Sequence, residues 1–186
     1  LREAITENQL RLYYQPITNS EQKAIIGYEA LMRWHHPVKG LIMPGEFIAI
    51  AEETGLIHSL GAWALYEACR EAKNWPGDQT VSVNLSPVQF KNSALVSTVE
   101  GALRESGLEP WRLEMEITES VLLDDTLGNI RTLQSLKALG VLIALDDFGT
   151  GYSSLSYLRS FPFDKIKIDK SFISDMSDSR EALAII

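Results

Sequence analysis

The chain has 186 residues; 45% hydrophobic and 23% charged residues describe a folded domain and exclude a disordered, collagen-like or coiled-coil chain. Its 17 Lys+Arg against 25 Asp+Glu give a net charge of −8, and a pI of about 4.9 excludes a broad basic surface for polymeric nucleic acid, so an anionic substrate needs local cations. One cysteine, Cys69, and three histidines exclude an internal disulfide and a zinc cluster, and no apolar run approaches the roughly 20 residues of a membrane span, so the expected compartment is a reducing cytoplasm.

In chain order, Leu10–Ile17 reads as a strand ended by Pro16, and Ile25–Arg33 as a second strand. Pro44 opens a helix through Glu53, stopped by Gly55, with Phe47, Ile48, Ile50 and Ala51 on its apolar side. A further helix covers Leu60–Trp75 before Pro76-Gly77; Trp63, Leu65, Tyr66, Ala68 and Cys69 read there as packing. Thr80–Leu85 alternates Val81, Val83 and Leu85 against Ser82 and Asn84, the pattern of a strand. Leu95–Glu105 is an amphipathic helix ending at Gly107; Arg112–Ile117 is a strand; Asp125–Leu139 is a helix stopped by Gly140. Val141–Leu145 and Lys165–Asp169 read as strands, and Asp178–Ile186 starts like a helix.

No linker or repeat divides this series, so 1–186 is expected to be one domain. Strands alternating with helices predict an α/β fold with a parallel sheet. The first strand is followed by no glycine-rich phosphate loop, which favours a (β/α)8 barrel of TIM type over a dinucleotide-binding sheet. A full barrel usually takes about 250 residues, so this chain is expected to fall short by around two strand–helix units.

Successive strands each place a polar residue among apolar ones. Glu29 shares a side with Leu31 and Arg33; Asn84 and Glu116 each stand between apolar neighbours; Asp146-Asp147 close the sixth run; Lys167 lies between Ile166 and Ile168. Taken singly, each suits a solvated strand end, a turn or a helix cap. Their recurrence is better explained by convergence at the mouth of a barrel. Four carboxylates and an amide in one place repel unless cations neutralise them. Oxygen donors without Cys or His suit Mg²⁺ or Mn²⁺, and adjacent aspartates can serve two ions in phosphoryl transfer. Glu114, on the same side as Glu116 and one layer deeper, needs a buried partner, for which Lys165 is the candidate.

At these residues the chain resembles the EAL domain, a bacterial family that hydrolyses cyclic di-GMP. The resemblance is carried by Glu29-Ala30-Leu31-Met32-Arg33-Trp34, Tyr14-Gln15-Pro16, Val83-Asn84-Leu85-Ser86-Pro87 and Glu116-Ile117-Thr118-Glu119-Ser120. Asp146-Asp147-Phe148-Gly149-Thr150-Gly151-Tyr152-Ser153-Ser154-Leu155 and Lys165-Ile166-Lys167-Ile168-Asp169 complete it. This ordered set is far more specific than the three-letter motif alone. It implies that Glu29, Asn84, Glu116 and Asp146 hold one metal ion and that Asp146 and Asp147 contribute to a second, each Mg²⁺ or Mn²⁺. It implies catalytic roles for Lys167, Glu29, Asp146 and Asp147, with Lys167 at the attacking water or the phosphate. Asp169 would orient Lys167, Arg33 would grip a substrate phosphate oxygen, and Gln15 would lie by the same pocket. Glu119 would anchor the loop Asp147–Ser153, which contains Gly149 and Thr150. Water would then attack phosphorus in line and expel the ribose 3′ oxygen, giving linear pGpG.

The family's Glu-Gly-Val-Glu motif on the seventh strand and glutamine after the eighth have no counterpart before Ile186. The chain is therefore expected to be the first three quarters of the barrel and a piece of a larger cytoplasmic regulator. Dimerisation and neighbouring sensory or diguanylate cyclase domains are also expected. An alternative function is a catalytically weak or inactive module that binds cyclic di-GMP or a protein partner as a sensor; another metal-dependent barrel enzyme is a third reading.

Overall fold

The computed structural model describes residues 1–123, 126–149, 161 and 163–169. A short helix, α1 (Arg2–Thr6), precedes β1 (Leu10–Thr18) and β2 (Ile25–His36), and β3 (Gly40–Ile42) follows. Next come α2 (Pro44–Glu53), α3 (Ile57–Lys73), β4 (Thr80–Leu85), α4 (Pro87–Phe90) and α5 (Leu95–Ser106). A 3₁₀ turn at Pro110–Arg112 leads into β5 (Leu113–Thr118), followed by α6 (Ser120–Leu123), α7 (Thr126–Ala138), β6 (Leu142–Phe148) and β7 (Lys165–Ile168). The sheet runs β1-β2-β4-β5-β6-β7, with β3 on β2. From β2 to β7 every pairing along this path is parallel. This is a barrel-type sheet, open between β7 and β1 among the described residues.

Two faces explain the strand sequences. Val81, Val83, Leu85, Leu113, Met115, Ile117, Ile143 and Leu145 turn toward the helices and form the main core with Leu65, Ala68, Val99, Leu133 and Leu136. Each such aliphatic side chain contributes about 1.5–3 kcal/mol on full burial. The alternate positions Ser82, Glu114 and Glu116 are equally buried but polar, so the inner face of β4 and β5 is polar beneath its rim. A second core gathers Leu10, Ile42, Phe47, Ala51, Ile57 and Leu60 where α2 and α3 cover β1 and β3. Gly27 is required by close approach: a Cβ there would meet the Thr80 carbonyl oxygen at 2.8 Å and the Thr80 hydroxyl closer still.

Several expectations are corrected. The sheet is not parallel throughout, because β1–β2 and β2–β3 are antiparallel, and three-residue β3 went unread. Pro16 does not end β1; it pairs with Tyr28, and β1 is an edge strand among the described residues, the kind of strand in which proline is tolerated. Ile50 is 53% exposed instead of facing the core. Helix α3 begins at Ile57, three residues early, and β6 continues past Leu145 to Phe148. Arg112 belongs to the 3₁₀ turn, where its buried guanidinium donates to the carbonyls of Gln79 (3.0 Å) and Ala72 (2.8 Å). The expected helix Asp178–Ile186 and the start of the helix at Asp125 lie outside the described residues. Among the described residues no helix is long and apolar enough to cross a membrane.

Candidate metal centre

Three strands converge on one ammonium group. Lys167 Nζ lies 2.6 Å from Glu116 Oε2, 3.0 Å from Asp146 Oδ2 and 3.4 Å from Glu29 Oε2. Asn84 Nδ2 donates to Glu29 Oε1 at 2.9 Å. Glu29, Asn84, Glu116, Asp146 and Lys167 are thus brought together. Glu29 sits in the first half of β2, level with Ser82 and below the barrel mouth at which these residues are expected to converge. Its long side chain makes up the difference and reaches Asn84.

Asp147 stands next to this group at a local irregularity. Between Leu145 and Phe148 the pairing of β6 with β7 slips, and Asp147 adopts φ +54°, a left-handed backbone that a non-glycine residue takes only under constraint. A bulge of this kind re-aims side chains beside active sites. The Asp147 N–H donates to Asp146 Oδ1 at 3.0 Å. Partial desolvation, then the charges of Asp146 and Asp169, raise the carboxyl of Asp147, itself an exposed residue, above its ordinary range. Asp169 therefore stands close by; its N–H donates to the Phe148 carbonyl at 3.2 Å.

Burial also dominates at Glu116. Its carboxyl is pushed up to about 7, against the opposing hydrogen bond from Lys167 and with the Glu29 charge adding to the rise. Lys167 responds in the opposite sense. Burial would lower it, but the hydrogen bond and charge of Glu116, the hydrogen bond of Asp146 and the charge of Glu29 hold the ammonium above the lysine range. The Glu116 side chain is fully buried, and among the described residues its Oε1 has no hydrogen-bond partner. One ammonium leaves this carboxylate half satisfied.

The donors fit a hard divalent cation. All are oxygens, the carboxylates outnumber the ammonium, and a buried carboxylate oxygen is orphaned. Among the described residues no three His, Cys, Asp or Glu side chains already stand in an arrangement that holds an ion. The ammonium of Lys167 instead lies among these carboxylates.

Beneath this layer Glu114 is buried and accepts hydrogen bonds from Ser82 Oγ (2.6 Å) and Lys165 Nζ (2.7 Å). The expected Glu114–Lys165 pair is present; Ser82 was not anticipated, although its alternation with Val81 and Val83 placed it on this face. At the rim, Gln15 lies opposite Glu29 in the β1–β2 register. Arg33 donates to the Met32 carbonyl at 2.9 Å and sits over the Tyr13 ring. Glu119 Oε1 accepts the Gly149 N–H at 3.0 Å; Gly149, at φ +102°, suits a residue without Cβ. Thr150 and the rest of the loop to Ser153 lie outside the described residues. A cavity of about 300 Å³ adjoins Asn84, lined by Leu31, Pro44, Ile48, Ser86 and Pro87 among others. It was not read from the sequence.

Fold and site together define a (β/α)-barrel domain with an acidic, oxygen-lined centre near the carboxyl ends of its strands. The EAL domain family model matches residues 1–186, and the chain belongs to that family. It is 55% identical to the uncharacterized protein y4lL of Sinorhizobium fredii, over all of this chain and 22% of that protein. It is 45% identical to the bifunctional diguanylate cyclase/cyclic di-GMP phosphodiesterase MucR of Pseudomonas aeruginosa, over all of this chain and 28% of that protein. The solved PaMucR phosphodiesterase in complex with c-di-GMP, 45% identical, matches with a TM-score of 0.92 over 99% of this chain and 76% of that one. The chain thus spans less than a third of the length of these two curated relatives.

Proposed function

We propose that this domain hydrolyses cyclic di-GMP to linear pGpG with the help of divalent cations, two Mg²⁺ or Mn²⁺ ions held by Glu29, Asn84, Glu116, Asp146 and Asp147. The observation that carries the reading is the convergence of three strands' carboxylates on one point, with Glu116 Oε1 orphaned beside it. When bound, such ions polarise the phosphoryl oxygens and lower the pKa of water. The chain's own residues do the rest. Arg33 binds a phosphate oxygen from the rim, Gln15 lines the same side, and Lys167, oriented with Asp169, supplies positive charge at the reacting phosphate. The water oxygen bonds to phosphorus, the P–O3′ bond breaks, and the 3′ oxygen leaves as a hydroxyl.

Support for this substrate comes from the MucR complex with c-di-GMP and from its shared fold. Because the chain matches only part of its longer signalling relatives, we further propose that it works beside sensory or diguanylate cyclase domains in a cytoplasmic regulator. The test is to incubate the whole protein that carries this domain with cyclic di-GMP and either metal, and to follow pGpG. Metal-dependent product that Glu29→Ala abolishes is expected. Binding without product would overturn the hydrolytic reading.

A further inference from the structure

We propose that Tyr13 is a positioning residue for Arg33, its ring holding the guanidinium at the rim of the site, clear of the carboxylates and open to a substrate phosphate. The inference rests on the reading of Arg33 as the phosphate-binding cation. In the antiparallel register Tyr13 faces Leu31, Gln15 faces Glu29 and Arg11 faces Arg33. Tyr13 therefore shares one face of the sheet with Gln15, Glu29 and Arg33. The Arg33 guanidinium carbon lies 5.7 Å from the centroid of the Tyr13 ring, within reach of the attraction between a cation and an aromatic face. The ring is itself fixed, stacked on His35 at 6.0 Å and 18° with its hydroxyl 3.3 Å from His35 Nε2.

The need for such a device follows from the charges. Glu29 lies four residues from Arg33 on the same strand face, about 13 Å along the backbone, and Glu116 and Asp146 lie beyond it. Among the described residues no carboxylate is within ion-pair distance of Arg33; its contacts are the Tyr13 ring and the Met32 carbonyl. A long, flexible guanidinium beside excess negative charge would fold onto it without a competing partner. Tyr13 supplies that partner without neutralising the charge. Its 47% exposure marks a ring held at the rim and not a core residue.

The test compares Tyr13→Leu, Tyr13→Phe, Arg33→Ala and the double variant Tyr13→Leu/Arg33→Ala in the protein that carries this domain, by KM and kcat for cyclic di-GMP. Tyr13→Leu should raise KM about two- to fivefold with kcat within about twofold, the worth of an exposed cation–aromatic contact. Tyr13→Phe, which keeps the ring face, should behave like the unmodified protein. In the Arg33→Ala background Tyr13→Leu should change nothing further. A Tyr13→Leu penalty that persists undiminished without Arg33, or that Tyr13→Phe shares, would overturn the positioning role alone. An Arg33→Ala variant with unchanged KM would instead overturn the reading of Arg33, and this inference with it.

Discussion

Replacing Lys165 by Met isolates the energetic cost of the buried acidic layer. The Glu114 side chain is 2% exposed and its ion-pair partner Lys165 is 35% exposed, 2.7 Å away. Removing one member of a fully buried pair costs about 3–5 kcal/mol, because the other charge stays behind uncompensated. Two features reduce that figure here: water reaches Lys165 and screens the pair, and Ser82 still donates to Glu114 at 2.6 Å. The expected loss is about 2–3 kcal/mol, or about 4–12 °C in melting temperature for a domain of this size. Adding Glu114→Gln should recover most of it, since a neutral amide of the same shape still accepts the Ser82 hydroxyl. Denaturant unfolding of both variants measures this. A Lys165→Met loss below about 0.5 kcal/mol, or a double variant no more stable than the single one, would refute the reasoning.

Four other outcomes follow from the geometry of the site. The raised Glu116 carboxyl binds a proton in the folded state between its ordinary value of 4.5 and about 7. Stability of the metal-free protein should therefore fall as pH rises through that window, by on the order of 3 kcal/mol. Cation binding at pH 6 should correspondingly release nearly one proton, and almost none at pH 9, when calorimetry is run in buffers of different ionisation heat; equal release at both would contradict the assignment. Lys167→Met removes the ammonium from among Glu29, Glu116 and Asp146, so Mn²⁺ binding should tighten while turnover is lost; weaker binding would show that Lys167 does not compete for these oxygens. Glu119→Ala deletes the carboxylate that accepts the Gly149 N–H and should lower turnover at least about tenfold, the worth of one charge-assisted hydrogen bond. Its melting temperature should fall by no more than one such bond accounts for, and a drop confined to stability, with turnover kept, would place Glu119 in the fold and not in the site.

Period-two alternation made the inner face of β4 and β5 readable, since Ser82, Asn84, Glu114 and Glu116 each break an otherwise apolar strand. The same rule points to the Glu114–Lys165 pair, which is present. Position along the barrel axis was less legible. Glu29 reaches Asn84 from a lower level through side-chain length, which strand counting cannot show. The bulge at Asp146-Asp147 depends on a left-handed residue that is not glycine; the run Asp146-Asp147-Phe148-Gly149 also suits a plain turn, so the local pattern did not separate a turn from a bulge. Antiparallel β1 was legible but not used: the seven residues between Leu10–Ile17 and Ile25–Arg33 are too few for a parallel crossover, and Pro16 suggested a strand end where the pairing continues to Thr18. The link between Tyr13 and Arg33 crosses two strands and becomes visible only once their register is fixed.

Electron paramagnetic resonance of Mn²⁺ titrated into the purified protein tests the central claim most directly, because it reports ion capture without requiring turnover. Saturable loss of the free Mn²⁺ signal, abolished by Glu116→Ala and strongly weakened by Asp146→Ala, is the predicted result. A signal that stays that of the free ion up to millimolar Mn²⁺, or capture that survives both substitutions, would contradict it.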